Sequence, residues 1–130
     1  EIISPNHLTI RTSIIGPELN SNASLLEWFL SQRGVVYGYT QAIWNGITTL
    51  EWSKQCEKII NNWDNYPTLN VFHSNKVSKF ELLNIIKDCY EKDDIEVIEK
   101  ELGKDKSLTG GCKTKNIKDQ LIELKIFEEL

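Results

Sequence analysis

The chain has 130 residues and a formal net charge of −4, with 40% hydrophobic and 26% charged residues. This size and composition are typical of one globular domain, so we interpret residues 1–130 as a single domain. The acidic balance, without a cluster of Lys and Arg, argues against nucleic-acid binding. No apolar run approaches the roughly 20 residues of a membrane-spanning helix, and a cytoplasmic location without a membrane partner is the expectation.

Cysteine and histidine usage excludes two classes of site. The cysteines are far apart, no Cys-x-x-Cys occurs, and the two histidines are isolated, so neither a disulfide scaffold nor a metal site is predicted. Cys56 and Cys89 fall on apolar helical faces and are expected to be buried thiols.

In the first third of the chain, two strands flank a helix. The β-branched stretch Leu8–Ile15 predicts a strand covered on both faces of a parallel sheet. Ser24-Leu25-Leu26-Glu27 is a capping box that predicts a helix to about Gln32, with Trp28 packed in the core. Val35–Tyr39 reads as the second strand.

The same alternation continues to the end of the chain. Capping boxes at Thr48–Glu51 and Ser78–Glu81 predict two further helices, and the strand Thr68–His73 lies between them. Ile95–Ile98 predicts a fourth strand, and a final helix starts at about Asn116. This β-α-β-α-β-α-β-α order predicts an α/β fold with right-handed parallel crossovers.

The stretch from Gln41 to Glu51 joins the second strand to the most amphipathic helix, and we call it the joint. Trp44 stands there beside the turn-forming pair Asn45-Gly46, just before a helix N-terminus. An aromatic ring in such a loop can stack on a planar base or a sugar face, whereas core packing is the alternative for Trp44.

The polar end of the first strand is a second candidate. Ligands in open α/β sheets gather at the carboxyl ends of parallel strands, where Arg11, Thr12 and Ser13 lie. The hydroxyls of Thr12 and Ser13 could face a polar ligand or satisfy the backbone of the next loop. The sequence favours the two interpretations equally.

No catalytic centre is visible in the chain. Dinucleotide glycine motifs, a P-loop and a Gly-x-Ser-x-Gly elbow are absent, and no tyrosine is followed by lysine at the Tyr-x-x-x-Lys spacing. We therefore predict no catalytic residue and no bound cofactor in this chain.

Four segments follow one another at a characteristic spacing: Arg11–Gly16, Ser24–Trp28, Trp44–Leu50 and Val77–Leu83. In this order they resemble the C-terminal half of the extended short-chain dehydrogenase/reductase superfamily. They are most similar to its dTDP-4-dehydrorhamnose reductase branch, and the resemblance covers about Leu8 to Leu108. The resemblance implies the substrate-binding part of a Rossmann-type enzyme, with a small, mostly parallel or mixed sheet and flanking helices.

The resemblance also implies a function. In such enzymes an N-terminal Rossmann half holds NAD(P) and the Tyr-x-x-x-Lys pair, and the C-terminal half closes over a nucleotide-sugar. This chain would then be the nucleotide-sugar-binding portion of an NAD(P)-dependent reductase or epimerase, inactive by itself, with Thr12, Ser13, Trp44 and Asn45 as substrate contacts. The chain contains no Met, and we expect it to be a piece of a longer protein that includes the missing Rossmann half.

Two departures from the family pattern leave the sugar open. Ile14 stands where rhamnose-type reductases usually carry Trp, and Gly16 comes one residue early. Arg11 could equally brace the strand end without touching a ligand. The alternatives are a non-catalytic relative that serves as a regulatory or interaction subunit, and an unrelated α/β domain. Separated from its sheet neighbours, the Leu8–Ile15 strand is expected to self-associate through its exposed edge.

Overall fold

The computed structural model describes residues 7–18 and 24–130. Its helices are α1 (Leu25–Ser31), α2 (Thr49–Asn61), α3 (Lys79–Cys89) and α4 (Ile117–Glu128), with a 3-10 turn at Trp63–Asn65. Its strands are β1 (Thr9–Arg11), β2 (Ile14–Ile15), β3 (Gly34–Tyr39), β4 (Ile43–Trp44), β5 (Ile47–Thr48), β6 (Leu69–His73), β7 (Val77–Ser78), β8 (Ile95–Lys100) and β9 (Cys112–Lys113).

The strand pairing is mostly parallel, as predicted. A three-stranded sheet has the order β1-β6-β9, and both of its pairings are parallel. β3 and β8 form the longest ladder, also parallel, from Gly34↔Ile95 to Tyr39↔Lys100. β2 pairs in parallel with β5, whereas β4 pairs antiparallel with β7. The predicted α/β class is confirmed, with small and mostly parallel sheets.

Two clusters of buried apolar residues pack the helices against the strands. The larger one joins α1, α3 and α4, and its most buried members include Leu26, Phe29, Ile86 and Leu121. The smaller one, formed by Ile47, Ile59 and Phe72, packs α2 against β5 and β6. The apolar spacing of α3 and α4 therefore places Ile86 and Leu121 in the core as predicted, whereas Trp52 and Ile60 on the predicted apolar face of α2 are exposed.

The single strand predicted over Leu8–Ile15 is wrong, because the chain breaks at Thr12 and Ser13. The Thr12 hydroxyl donates a 2.8 Å hydrogen bond to the Phe72 carbonyl, and the Ser13 carbonyl accepts one of 2.8 Å from the Ile47 amide. Between these two bonds the chain leaves β6 and takes β5 as its new neighbour.

The three predicted capping boxes form to different degrees. The box at Ser78 and Glu81 is complete. At α2, Thr48 accepts from the Glu51 amide, but its own amide donates to Gln120 Oε1 at 3.0 Å, so only half of that box exists. The predicted box at Ser24 is wrong, since its hydroxyl makes no cap bond and lies 3.4 Å from the Gly16 carbonyl.

Other side chains also differ from expectation. Trp28 is not a core residue, because 37% of it is exposed. Cys56 and Cys89 are only half-buried, and this burial raises the pKa of both thiols. Strand β9 was not predicted. Among the described residues no helix is long and apolar enough to cross a membrane.

The caps provide a matched test of the fold. Ser78→Ala removes the acceptor of the Glu81 amide and should lower the free energy of unfolding by about 1 kcal/mol. Ser24→Ala removes no cap bond and should change it by less than about 0.5 kcal/mol. Urea denaturation compares the two variants, and equal losses would contradict these cap assignments.

Strand β1 supports the expected self-association. Within the described ranges β1 pairs with β6 alone. The Thr9 amide donates to the Thr68 carbonyl at 2.7 Å, so the next amide, that of Ile10, points away from β6 to the other edge of β1. We expect dimers to form through this edge as protein concentration rises. Hydrogen exchange at the Ile10 amide should then become slower in the dimer, whereas exchange at the Thr9 amide, which is already bonded to Thr68, should not change. A protein that stays strictly monomeric at high concentration would refute the prediction.

Candidate functional site

The joint lies where four short strands meet. β4 and β5 enclose Asn45 and Gly46, and they pair with β7 and β2 respectively. Ser74, just after β6, ties the turn down: its amide donates to the Asn45 carbonyl at 2.7 Å and its hydroxyl to the Gly46 carbonyl at 2.6 Å. The turn between β4 and β5 is therefore held by backbone and side-chain bonds from a distant strand.

Trp44 is half-buried and packs against the larger apolar cluster. Its ring lies directly over Gly46, because a Cβ added to that glycine would be 2.7 Å from Trp44 Cε2 and closer still to the Ser13 carbonyl. Only glycine fits at that position without a shift of its neighbours. The Trp44 ring is thus packed against Gly46 and the larger apolar cluster, and the residue also lines a cavity.

The larger cavity beside Trp44, which we call the Trp44 cleft, has a volume of about 430 Å³. It is lined by Tyr39, Ala42, Ile43, Trp44, Lys79, Gly103, Lys104 and Lys106. A smaller cavity of about 210 Å³ shares Trp44 and Lys79 with it and extends to Ile14, Ser24 and Leu25. Trp44 and Lys79 therefore line both of these cavities.

Asn45 is 2% exposed, and both ends of its amide bind the backbone of Leu108. Its Nδ2 donates to the Leu108 carbonyl at 2.9 Å, and its Oδ1 accepts from the Leu108 amide at 2.8 Å. This paired bond joins the joint to the loop between β8 and β9. A ligand contact by Asn45 stays a prediction, and its visible role is to hold that loop.

The four residues predicted from the sequence do not converge on one cavity. Trp44 lines the Trp44 cleft, and Asn45 lines a different cavity of about 370 Å³ beside His73 and Lys113. Thr12 and Ser13 lie outside both, at the switch from β1 to β2. The Thr12 hydroxyl bonds to the Phe72 carbonyl, which is the backbone-satisfying interpretation, although its lone pairs can still accept.

The lysines of the cleft were missed by the sequence reasoning. Lys104 and Lys106 alternate with Asp105 in a stretch whose mixed charges are typical of a solvated surface. Only the position of the loop against Ile43 and Ala42 brings them to Trp44. Among the residues that the structure describes, no cluster of His, Cys, Asp and Glu could hold a metal ion.

No protein-family model and no curated protein matches the sequence. Solved structures do match, starting with a dTDP-4-dehydrorhamnose reductase from Clostridium acetobutylicum at TM-score 0.76 and 14% identity, over 97% of this chain and 50% of that one. The fold of the present chain therefore resembles one half of such a reductase.

Two further structures agree with this likeness. The enzyme of the same name from Yersinia enterocolitica has a TM-score of 0.69 at 15% identity, with 92% of this chain and 48% of that chain covered. The one from Bacillus anthracis, solved in complex with NADP, has a TM-score of 0.72 at 14% identity, with coverage of 91% and 47%. The resemblance is confirmed at the level of the fold, and the chain spans about half the length of the structures it matches.

The bond between Asn45 and Leu108 can be tested directly. Asn45→Ala leaves the amide and carbonyl of Leu108 without their partner, and it should lower the free energy of unfolding by about 2 kcal/mol. Hydrogen exchange at the Leu108 amide should also become faster. Asn62→Ala, which removes an exposed bond to the Lys58 carbonyl, is the control and should have little effect. Unchanged exchange at Leu108 would contradict the tethering role.

Proposed function

We propose that this chain is the nucleotide-sugar-binding portion of an NAD(P)-dependent reductase or epimerase that acts on a nucleotide-sugar. The observation that carries the proposal is the Trp44 cleft, found in a chain whose fold matches half of three dTDP-4-dehydrorhamnose reductases. Fold similarity alone does not assign an activity, so the chemistry of the cleft has to support it.

The cleft suits a ligand with a planar group and negative charge. Its volume of about 430 Å³ falls in the usual range for small-molecule sites, about 300–1,000 Å³. The face of Trp44 can stack on a base or on the apolar face of a sugar, and Tyr39 adds a second aromatic wall. Lysine ammonium groups at the rim attract phosphate oxygens.

The redox chemistry belongs, in this proposal, to the part of the parent protein outside this chain. When bound, NAD(P) would supply hydride exchange with a keto-sugar carbon. A tyrosine outside this chain would act as the acid, with a neighbouring lysine lowering its pKa. The present chain would bind and orient the sugar-nucleotide against that centre, and a cytoplasmic location stays a prediction.

Thr12, Ser13, Trp44 and Asn45 remain the proposed substrate-side residues, with different expected roles. Trp44 would touch the ligand directly. Thr12 can only accept a hydrogen bond from a ligand while its proton is donated to Phe72. Asn45 would act through the loop that it holds. A non-catalytic parent would share this geometry, and it would be recognised by the loss of the Tyr-x-x-x-Lys pair outside this chain.

Binding by the 130-residue chain tests the proposal. Isothermal titration with a dTDP-sugar should give weak binding, with Kd in about the millimolar range. Trp44→Ala should weaken it about tenfold, because the stacking surface is lost. Trp63→Ala is the control, since that exposed ring lies on the 3-10 turn away from the cleft. Circular dichroism verifies the fold of each variant.

Three results would count against this proposal. If Trp44→Ala leaves the affinity unchanged, Trp44 packs in the core and does not contact the ligand. An equal loss of affinity in Trp63→Ala would indicate that the dTDP-sugar binds non-specifically. Oxidation of NADPH by the chain alone would show that the redox centre is not outside it.

A further inference from the structure

We propose that Lys79, Lys104 and Lys106 form a diphosphate-binding clamp at the rim of the Trp44 cleft. The inference rests on the proposed function only for the identity of the nucleoside-diphosphate sugar. The expected affinity for a diphosphate group follows from the three lysine residues that line this one cavity.

Lys79 is positioned by strand pairing. It directly follows β7, whose Val77 and Ser78 lie opposite Trp44 and Ile43 of β4. Its amide donates to the Ala42 carbonyl at 2.8 Å. The first residue of α3 is thereby fixed beside Trp44, and it lines both adjoining cavities.

Lys104 and Lys106 are positioned by a backbone that follows the joint. The Ile43 amide donates to the Lys104 carbonyl at 3.3 Å, and the Lys106 amide donates to the Ile43 carbonyl at 3.0 Å. This is the pattern of a parallel bridge between Ile43 and Asp105. Because side chains alternate in extended backbone, Lys104 and Lys106 point to one side, and both line the cleft.

Two features keep this loop in place. Gly103, with φ of +109°, packs so closely on Ala42 that an added Cβ would lie 2.6 Å from the Ala42 amide nitrogen. Three residues beyond Asp105, Leu108 is held by both ends of the Asn45 amide. Asn45 is therefore a positioning residue for the lysines at the cleft.

The clamp keeps an excess of positive charge. Among the described residues none of the three lysines forms an ion pair. Asp105 stands between two of them and is negatively charged, because hydrogen bonds from Ser107 lower its pKa, but its carboxylate accepts from the Ser107 amide at 2.8 Å and pairs with neither lysine. Three unpaired cations around one cavity, in a chain of net charge −4, mark a site for an anion.

A diphosphate fits this arrangement better than a single carboxylate. Lysine binds phosphate as a point charge, and a diphosphate offers enough oxygens for three ammonium groups. Trp44 forms the adjoining wall, where the base or sugar of a nucleoside diphosphate can lie. The clamp would hold the charged centre of the ligand while Trp44 orients its planar end.

Titration of the full 130-residue chain tests the clamp. In about 0.15 M salt, where the Debye length is about 8 Å and charges elsewhere on the protein are screened, dTDP should bind and sodium pyrophosphate should compete with it. Thymidine, which has no phosphate, should bind at least about tenfold more weakly. The triple variant K79Q/K104Q/K106Q should bind dTDP at least about tenfold more weakly than the original chain.

A second triple variant, K58Q/K87Q/K118Q, is the matched control. It removes the same charge from α2, α3 and α4 outside the cleft, and its dTDP affinity should stay within about twofold of the original. Equal losses in both triple variants would overturn the proposal, because binding would then follow net charge. Unchanged dTDP affinity in the cleft variant would overturn it as well.

The same titrations separate this proposal from the proposed function. If a dTDP-sugar binds in a Trp44-dependent manner but the cleft lysines have no effect, the proposed function stands and the clamp is wrong. If pyrophosphate binding needs the cleft lysines but a dTDP-sugar binds no better than pyrophosphate, the clamp stands and the nucleotide-sugar function fails.

Discussion

The paired hydrogen bond between Asn45 and Leu108 is the constraint on which the cleft depends. Both polar ends of a buried amide are used, so its loss leaves two backbone groups without a partner. The bond joins the joint to the loop that carries Lys104 and Lys106. Without it, that loop would be held by its backbone bonds to Ile43 and, just before the loop, by the bonds from the Thr40 and Gln41 amides to the carbonyls of Lys100 and Leu102.

Contacts other than the bond to Leu108 fix the backbone of the joint and the ring of Trp44. Ser74 holds the backbone of Asn45 and Gly46 from the end of β6, and Trp44 lies against Gly46, where no side chain fits. The change of partner at Thr12 and Ser13 moves the chain from β6 to β5, next to this turn. Short strands with many changes of partner thus produce a fixed ring, a fixed loop and an open cleft between them.

Local patterns predicted the parts of this structure that are decided locally. Helical apolar spacing and the Ser78 capping box need only neighbours in sequence, and both are confirmed. The break at Thr12 depends on acceptors and donors more than 30 residues away, at Phe72 and Ile47. The cleft lysines resemble surface charges until the loop lies along Ile43, which no spacing rule for a single segment could indicate.

Chemical-shift mapping by NMR during titration with a dTDP-sugar shows directly whether the ligand binds in the Trp44 cleft. The largest shifts are expected at the Trp44 indole and at the amides of Ala42, Lys79 and Lys104. Small shifts are expected in the groove between α2 and α4, a separate cavity of about 600 Å³ that is lined by Leu50, Leu124 and others. Shifts concentrated in that groove, or none at the Trp44 indole, would contradict the account.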